Sequence, residues 1–165
     1  ATSSAFLSGI LMALIGKNRY GRDCNPEHIV TLAVYHDASE VITGDMPTPV
    51  KYSSPGLRDA YKALEAESVD SMTRLLPPEL AEEVSPFITG SLLTAEEKRL
   101  LKAADRLSAL IKCMEEQRSG NHEFDAALRQ QREALEGMHC PESDWFMAHC
   151  LPCFTQNLDE LTRSE

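Results

Sequence analysis

The sequence is poor in basic residues. Lysine and arginine together number 16, against 26 aspartates and glutamates, which gives a formal net charge of −10 at pH 7. Because nucleic-acid backbones are bound by clustered lysine and arginine, this balance argues against a nucleic-acid polymer as a partner. It does not exclude a small phosphorylated substrate, since a bound metal ion can neutralise a phosphate locally.

Long hydrophobic runs are also missing. The most apolar stretch, Phe6 to Ile15, is too short to span a bilayer, and no basic segment precedes it. The sequence therefore predicts neither a signal peptide nor a membrane partner. The five cysteines have no framework spacing, which predicts reduced thiols and a cytoplasmic location. Kinase-like and serine-hydrolase functions lack their glycine-rich and Gly-x-Ser-x-Gly motifs.

No stretch alternates apolar and polar residues with the period of two that strands show, so we predict an all-α fold. A chain of 165 residues predicts a single domain, residues 1–165. Because Ala1 already falls within a helical pattern, we expect an upstream segment. The first predicted helix ends near Gly16, the second runs from Pro26 to about Ile42, and the third from Pro55 to Leu76. Four more are predicted to start at Pro78, Thr94, His122 and Pro141, and a last short helix contains Leu158 and Leu161.

The apolar face of the second predicted helix becomes ionisable near its end, at His36, Asp37 and Glu40. On a continuous helix His36 and Glu40 share a face, because they are four residues apart. Imidazole and carboxylate suit a catalytic divalent metal, and a further carboxylate can then transfer protons. An ordinary His-Asp pair without metal is the alternative interpretation, since so short a motif is weak evidence.

A stiff loop follows this pair. Gly44 suits the end of a helix, and Pro47 and Pro49 restrict the backbone. Such a loop is placed to present Asp45 and Thr48 to a ligand, and it is equally well explained as a rigid connector.

Two further candidates have ordinary explanations. Asp105 lies at the margin of an apolar stripe, where a solvated carboxylate and a ligand both fit. Cys150 and Cys153, with Cys140 and His149 nearby, provide half of a zinc pattern, but no second Cys-x-x-Cys is present. Core thiols explain these residues more simply, and no βαβ pattern supports a thioredoxin-like role.

Taken together, several of these segments resemble the HD-domain phosphohydrolases, and within them the bacterial 5′-deoxynucleotidases. The similarity extends over nearly the whole chain. It is densest in Tyr35-His36-Asp37-Ala38-Ser39-Glu40-Val41, Thr43-Gly44-Asp45, Pro47-Thr48-Pro49-Val50-Lys51-Tyr52 and Lys102-Ala103-Ala104-Asp105.

The resemblance implies an HD-domain helical bundle that hydrolyses deoxyribonucleoside 5′-monophosphates to deoxynucleoside and phosphate. It also implies one bound divalent metal ion, for which Co²⁺ or Mn²⁺ is expected and Zn²⁺ or Mg²⁺ is the alternative. It further implies that the protein forms a homodimer. Carried onto this sequence, the metal ligands are His36, Asp37 and Asp105, and Glu40 acts as the acid or base toward water. The loop Asp45, Met46, Pro47 and Thr48 would contact the substrate's sugar and phosphate, with Asp45 at the deoxyribose.

The resemblance also aligns the family's first metal histidine with about Ala1, and its phosphate-binding arginine and tryptophan further upstream. We therefore expect the N-terminal segment to be missing or diverged. Two alternatives follow from the sequence. One is an HD phosphohydrolase that acts on cyclic or polyphosphorylated nucleotides; the other is a helical interaction module that has lost its metal.

Overall fold

The computed structural model describes residues 2–35, 37–44, 46, 50 and 53–156. The described residues contain helices and no strand, which confirms the predicted all-α class. The elements are α1 (Thr2–Tyr20), α2 (Pro26–Tyr35), α3 (Glu40–Thr43), α4 (Pro55–Leu75), α5 (Pro78–Thr89), α6 (Ala95–Arg118), α7 (Asp125–Glu136), α8 (Pro141–His149) and a 3₁₀ helix (Leu151–Thr155). None of the helices in these ranges has the length and hydrophobicity needed to cross a bilayer.

Most helix starts are encoded locally. The side chain of Asn25 accepts hydrogen bonds from the backbone N–H groups of Glu27 and His28, which caps α2 ahead of its first residue, Pro26. Thr94 and Glu97 form a capping box at the predicted start of α6, with both reciprocal hydrogen bonds present. These helix starts could be predicted from the sequence because each depends on residues within one helical turn of the boundary.

The first helix was predicted to end near Gly16, and this is wrong. Helix α1 continues through Gly16 to Tyr20. Gly16 is packed rather than exposed: a Cβ atom there would lie 3.3 Å from the Cγ of Arg22 and 3.6 Å from side-chain atoms of Glu142 and Leu100. The glycine therefore permits a close approach within a helix instead of ending one.

The second helix was predicted to reach about Ile42, and this is also wrong. Helix α2 ends at Tyr35, a turn occupies 37–39, and α3 is a separate short helix. In this turn the amides of Ala38 and Glu40 donate to carbonyls three residues earlier, at distances of 3.0 and 2.9 Å. Such i to i+3 bonds wind the backbone more tightly than an α-helix does.

The described residues divide into two compact units. The first comprises the described part of Ala1–Val30 and Thr94–Glu165. Its core joins α1, α6, α7 and α8, and the residues that are fully buried there include Met12, Ile29, Leu100, Leu107, Leu110, Ile111, Leu135 and Phe146. Burial of each such side chain contributes about 1.5–3 kcal/mol, so this core is the main source of the unit's stability.

The second unit comprises Thr31–Leu93 and contains α3, α4 and α5. The large apolar side chains of α4 differ widely in burial. Tyr61 is 4% exposed, whereas Leu64 and Leu75 are 44% and 82% exposed. The last predicted helix, with Leu158 and Leu161, lies outside the described residues.

Candidate functional site

The candidate site begins where α2 ends. Tyr35, the last residue of α2, contacts the ring of Phe87 in α5, with ring centroids 6.4 Å apart. His36 lies outside the described residues. The aromatic contact fixes the end of α2 within the second unit, immediately before the His-Asp pair.

The turn after α2 holds the next two candidate residues. Asp37 is exposed, and Glu40, the first residue of α3, is half-buried. The predicted shared face of His36 and Glu40 assumed an uninterrupted helix, which the turn at 37–39 does not provide. The turn is instead joined to α3 by hydrogen bonds. Ser39 is buried, and its carbonyl oxygen accepts hydrogen bonds from the backbone amides of Ile42 and Thr43, both at 3.0 Å.

The end of α3 is anchored by a tyrosine. The hydroxyl of Tyr61 donates to the carbonyl oxygen of Gly44 at 2.8 Å, and it lies 3.3 Å from Oγ1 of Thr43. Gly44 has φ of +72°, which glycine adopts without strain, although its ψ of 164° lies outside the left-handed helical region. Tyr61 thus fixes the residue from which the loop starts. No local sequence pattern indicates this hydrogen bond, because its partners are 17 residues apart.

The loop itself is described at few positions. Asp45, Pro47 and Thr48 lie outside the described residues, and Met46 is half-buried. Their assignment as substrate-contacting residues therefore stays a prediction.

Asp105 occupies the middle of α6, in the first unit. It is exposed, whereas its neighbours Ala104 and Ser108 are buried. The carboxylate therefore stands at the edge of the buried face, as the apolar stripe predicted. Among the residues the structure describes, no group of three His, Cys, Asp or Glu side chains is placed to hold a metal ion.

Glu97 has a second function that its capping-box motif does not reveal. Its Oε1 lies 3.3 Å from Nδ1 of His28 and accepts a hydrogen bond from the backbone N–H of Asn25 at 3.5 Å. Burial would raise the pKa of Glu97, but hydrogen bonds from Thr94, His28 and Asn25 outweigh it and hold the pKa below its usual value. The same carboxylate therefore caps α6 and binds the start of α2.

The first unit also contains a fully buried carboxylate that no sequence motif predicted. Glu142, fully buried at the start of α8, accepts hydrogen bonds from Arg22 at 2.7 Å and from Arg99 at 2.9 Å. Burial alone would raise its pKa, but these guanidinium groups prevail and lower the pKa to about 2. Arg99 also binds Glu96, which is partly exposed. The cluster joins three distant segments, and nothing in the local sequence indicates it.

The C-terminal thiols do not behave as one group. Cys140 is buried and donates to Glu142 at 3.3 Å, as a core thiol would. Cys150 is half-buried, whereas Cys153 is exposed, so the prediction of core thiols fails for Cys153. His149 stacks on Trp145 with ring centroids 4.4 Å apart, and its Nδ1 lies 2.9 Å from the carbonyl oxygen of Trp145.

The chain is similar to proteins of one family. The family model for YfbR-like 5′-deoxynucleotidases matches residues 3–154. A 5′-deoxynucleotidase of Vibrio atlanticus is 42% identical over 151 residues, which cover 92% of this chain and 78% of the relative. A 5′-deoxynucleotidase of Photorhabdus laumondii is 43% identical over 151 residues, covering 92% and 77%.

One solved structure is similar in fold. The crystal structure of an HD-domain phosphohydrolase from Listeria innocua superimposes with a TM-score of 0.78 and covers 98% of this chain and 78% of that one. At 19% sequence identity this likeness bears on the fold alone. The fold is the helical HD-domain fold that the motifs predicted.

Proposed function

Since the chain belongs to the YfbR-like 5′-deoxynucleotidase family, we propose that His36, Asp37 and Asp105 bind the divalent metal ion of its active site. The protein is a phosphohydrolase that acts on deoxyribonucleoside 5′-monophosphates. HD-domain phosphohydrolases generally depend on a divalent metal. The family membership supports an enzyme over the alternative of an interaction module.

The observation that supports this ligand set is the exposure of both carboxylates. Asp37 lies in the turn after α2 and Asp105 at the polar edge of α6, and each is exposed to solvent. Carboxylates so placed are accessible to a cation from solvent. One imidazole with two carboxylates is a donor set that fits Co²⁺ or Mn²⁺, which we propose as the metal, with Zn²⁺ or Mg²⁺ as alternatives.

When bound, such an ion polarises a phosphoryl oxygen and lowers the pKa of water. The protein must then accept a proton from the attacking water, and Glu40 is the residue that we assign to this step. Glu40 is half-buried at the start of α3, and its backbone is fixed by the hydrogen-bonded turn before it. A half-buried carboxylate on a fixed backbone is suited to general base catalysis.

We further propose that Asp45, Met46, Pro47 and Thr48 contact the substrate's sugar and phosphate, with Asp45 at the deoxyribose. The anchor at Gly44 supports this role, because Tyr61 fixes the carbonyl directly before Asp45. A fixed starting point restricts where the next side chain can reach. Asp45 can then disfavour ribonucleotides, whose additional 2′-hydroxyl would occupy the space beside it.

Replacing Asp45 by alanine is expected to reduce the preference for deoxyribonucleotides over ribonucleotides by on the order of 10- to 100-fold, the range in which a pocket rejects one added hydroxyl. The measurement is kcat/KM for matched pairs of 5′-monophosphates. Asp144→Ala, at an exposed position on α8, is the control and should keep the wild-type preference. Unchanged discrimination in Asp45→Ala, with normal turnover, would remove Asp45 from sugar recognition.

The metal proposal predicts that Asp105→Asn binds Mn²⁺ at least about 10-fold more weakly than the wild type. Replacing a residue that only hydrogen-bonds to a metal ligand already lowers metal affinity by about that factor, and a direct ligand should matter at least as much. Calorimetric titration of metal-free protein measures this without reference to activity. Asp144→Asn is the matched control, because it removes an equivalent exposed carboxylate from another helix. Equal Mn²⁺ affinity in the wild type and Asp105→Asn would refute the assignment of Asp105.

Three further proposals rest on the family and the composition. We propose a homodimer, as the family resemblance implies. We propose a cytoplasmic location, supported by five cysteines that are all free thiols. That residues 1–165 form one HD domain stays a prediction.

A further inference from the structure

The segment Cys150-Leu151-Pro152-Cys153 follows α8 directly, and its last three residues form the start of the 3₁₀ helix. Leu151 between the two cysteines is buried, and Phe154 after them stacks on Phe146 of the core, with ring centroids 6.4 Å apart. The turn that holds the two thiols is therefore packed on the core of the first unit both within the turn, at Leu151, and directly after it, at Phe154.

The backbone brings the two cysteines together. The amide of Cys153 donates to the carbonyl oxygen of Cys150 at 3.1 Å, which closes a turn of four residues. In such a turn the first and last Cα atoms lie within about 7 Å, the limit beyond which a disulfide cannot form without backbone movement. Along a 3₁₀ turn the side chains of residues i and i+3 also point to the same side.

The environments of the two thiols differ. Cys153 is exposed, whereas Cys150 is half-buried and packs against the core of the first unit. Burial raises the pKa of Cys150, and the charge of Cys153 nearby raises it further. An exposed thiol with a more protected thiol three residues away is the arrangement in which the exposed one reacts first and the other resolves the product.

The remaining cysteines are packed differently. The Sγ of Cys24 donates to the carbonyl of Ala13 at 3.6 Å, and Cys140 donates to Glu142. Cys113 lies half-buried on α6, and burial raises the pKa of all three thiols. Each of these three cysteines is also at least ten residues from any other cysteine in the sequence, so a local turn cannot pair them.

We propose that Cys150 and Cys153 form a redox-active dithiol that closes reversibly to an intramolecular disulfide. The oxidant is a low-molecular-weight disulfide such as oxidised glutathione. The Cys153 thiolate attacks one glutathione sulfur, the glutathione disulfide bond breaks, and one glutathione thiolate leaves. The Cys150 thiolate then attacks the Cys153 sulfur and expels the second glutathione. The dithiol loses two electrons and two protons, and oxidised glutathione is reduced to two glutathione molecules.

The test is to incubate the reduced full chain with oxidised glutathione and to determine its intact mass and its cross-linked peptide. The wild type and Cys113→Ser should both lose two hydrogen atoms, with the link between Cys150 and Cys153. Cys150→Ser should instead accumulate a glutathione adduct on Cys153, because the resolving thiol is missing. Cys153→Ser should remain unmodified, because the reactive thiol is missing. Dithiothreitol should reverse each product.

Several results would overturn the proposal. A stable glutathione adduct on wild-type Cys153 would mean that Cys150 does not resolve it. A link between chains, or one that includes Cys113, would place the reaction elsewhere. A wild-type chain that stays fully reduced in excess oxidised glutathione would show that the turn does not allow the bond to form.

Discussion

Replacing Glu40 by glutamine is expected to lower kcat for phosphate release from deoxyribonucleoside 5′-monophosphates by roughly 10²- to 10⁴-fold. Glutamine keeps the size and one hydrogen-bonding oxygen of the side chain but cannot accept a proton at neutral pH. Substrate binding does not require that proton transfer, so KM should change far less than kcat. Steady-state kinetics with metal-free protein and added Mn²⁺ or Co²⁺ measure both.

The control for Glu40→Gln is Glu67→Gln, which makes the same change at an exposed position of α4. Its kcat should equal that of the wild type. Mn²⁺ binding by Glu40→Gln should also be close to normal, which separates loss of the base from loss of the metal. A variant that keeps wild-type kcat would show that another group accepts the proton and that Glu40 has no part in the step.

Replacing Glu142 by glutamine is expected to lower the free energy of unfolding by about 3–5 kcal/mol. The change leaves the guanidinium groups of Arg22 and Arg99 beside a side chain that cannot balance their charge. Because Glu142 is fully buried, water cannot replace the lost carboxylate. Urea denaturation followed by circular dichroism measures the difference.

Glu96→Gln is the matched control for Glu142→Gln. Its carboxylate meets the same two arginines but is 33% exposed. A partly exposed ion pair is worth about 0–1 kcal/mol, so this variant should be nearly as stable as the wild type. Equal losses in Glu96→Gln and Glu142→Gln would show that burial does not set the strength of these contacts.

The contribution of Glu142 should also depend on pH. Its pKa is about 2 in the folded protein, lower than in the unfolded chain, so the folded state binds fewer protons. This contribution is fully present above the unfolded pKa and is lost as the pH falls toward the folded value. The stability difference between the wild type and Glu142→Gln should therefore shrink between about pH 5 and pH 2.

The sequence was informative where structure depends on near neighbours. Pro26, Thr94 and Pro141 each mark a helix start, and the structure begins α2, α6 and α8 within one residue of them. The wrong boundary at Gly16 involves residues that are distant in sequence. Gly16 lies within α1, and a Cβ atom there would meet side chains of Glu142 and Leu100, which a local pattern does not reveal.

Side-chain contacts, like helix boundaries, were predictable only where they depend on residues near in sequence. The motif from Tyr35 to Lys51 identified the family because its residue types are contiguous. The network of Glu142 could not be predicted, since its partners Arg22 and Arg99 are 120 and 43 residues away in sequence. The hydrogen bond from Tyr61 to Gly44 also spans 17 residues. The pattern of apolar residues along a helix does not predict the hydrogen-bond partner of a tyrosine hydroxyl.

The contact between His28 and Glu97 has a topological consequence. These residues are 69 apart in sequence, and they lie close to the points where the chain leaves the first unit and returns to it. In polymer terms the second unit is a closed loop inserted into the first, with both ends tied at one carboxylate. Each doubling of such a loop's length costs only about 0.6 kcal/mol in closure entropy. Insertions at exposed turns of that loop, such as Ser91 and Leu92, can therefore accumulate during evolution while the first unit keeps its fold.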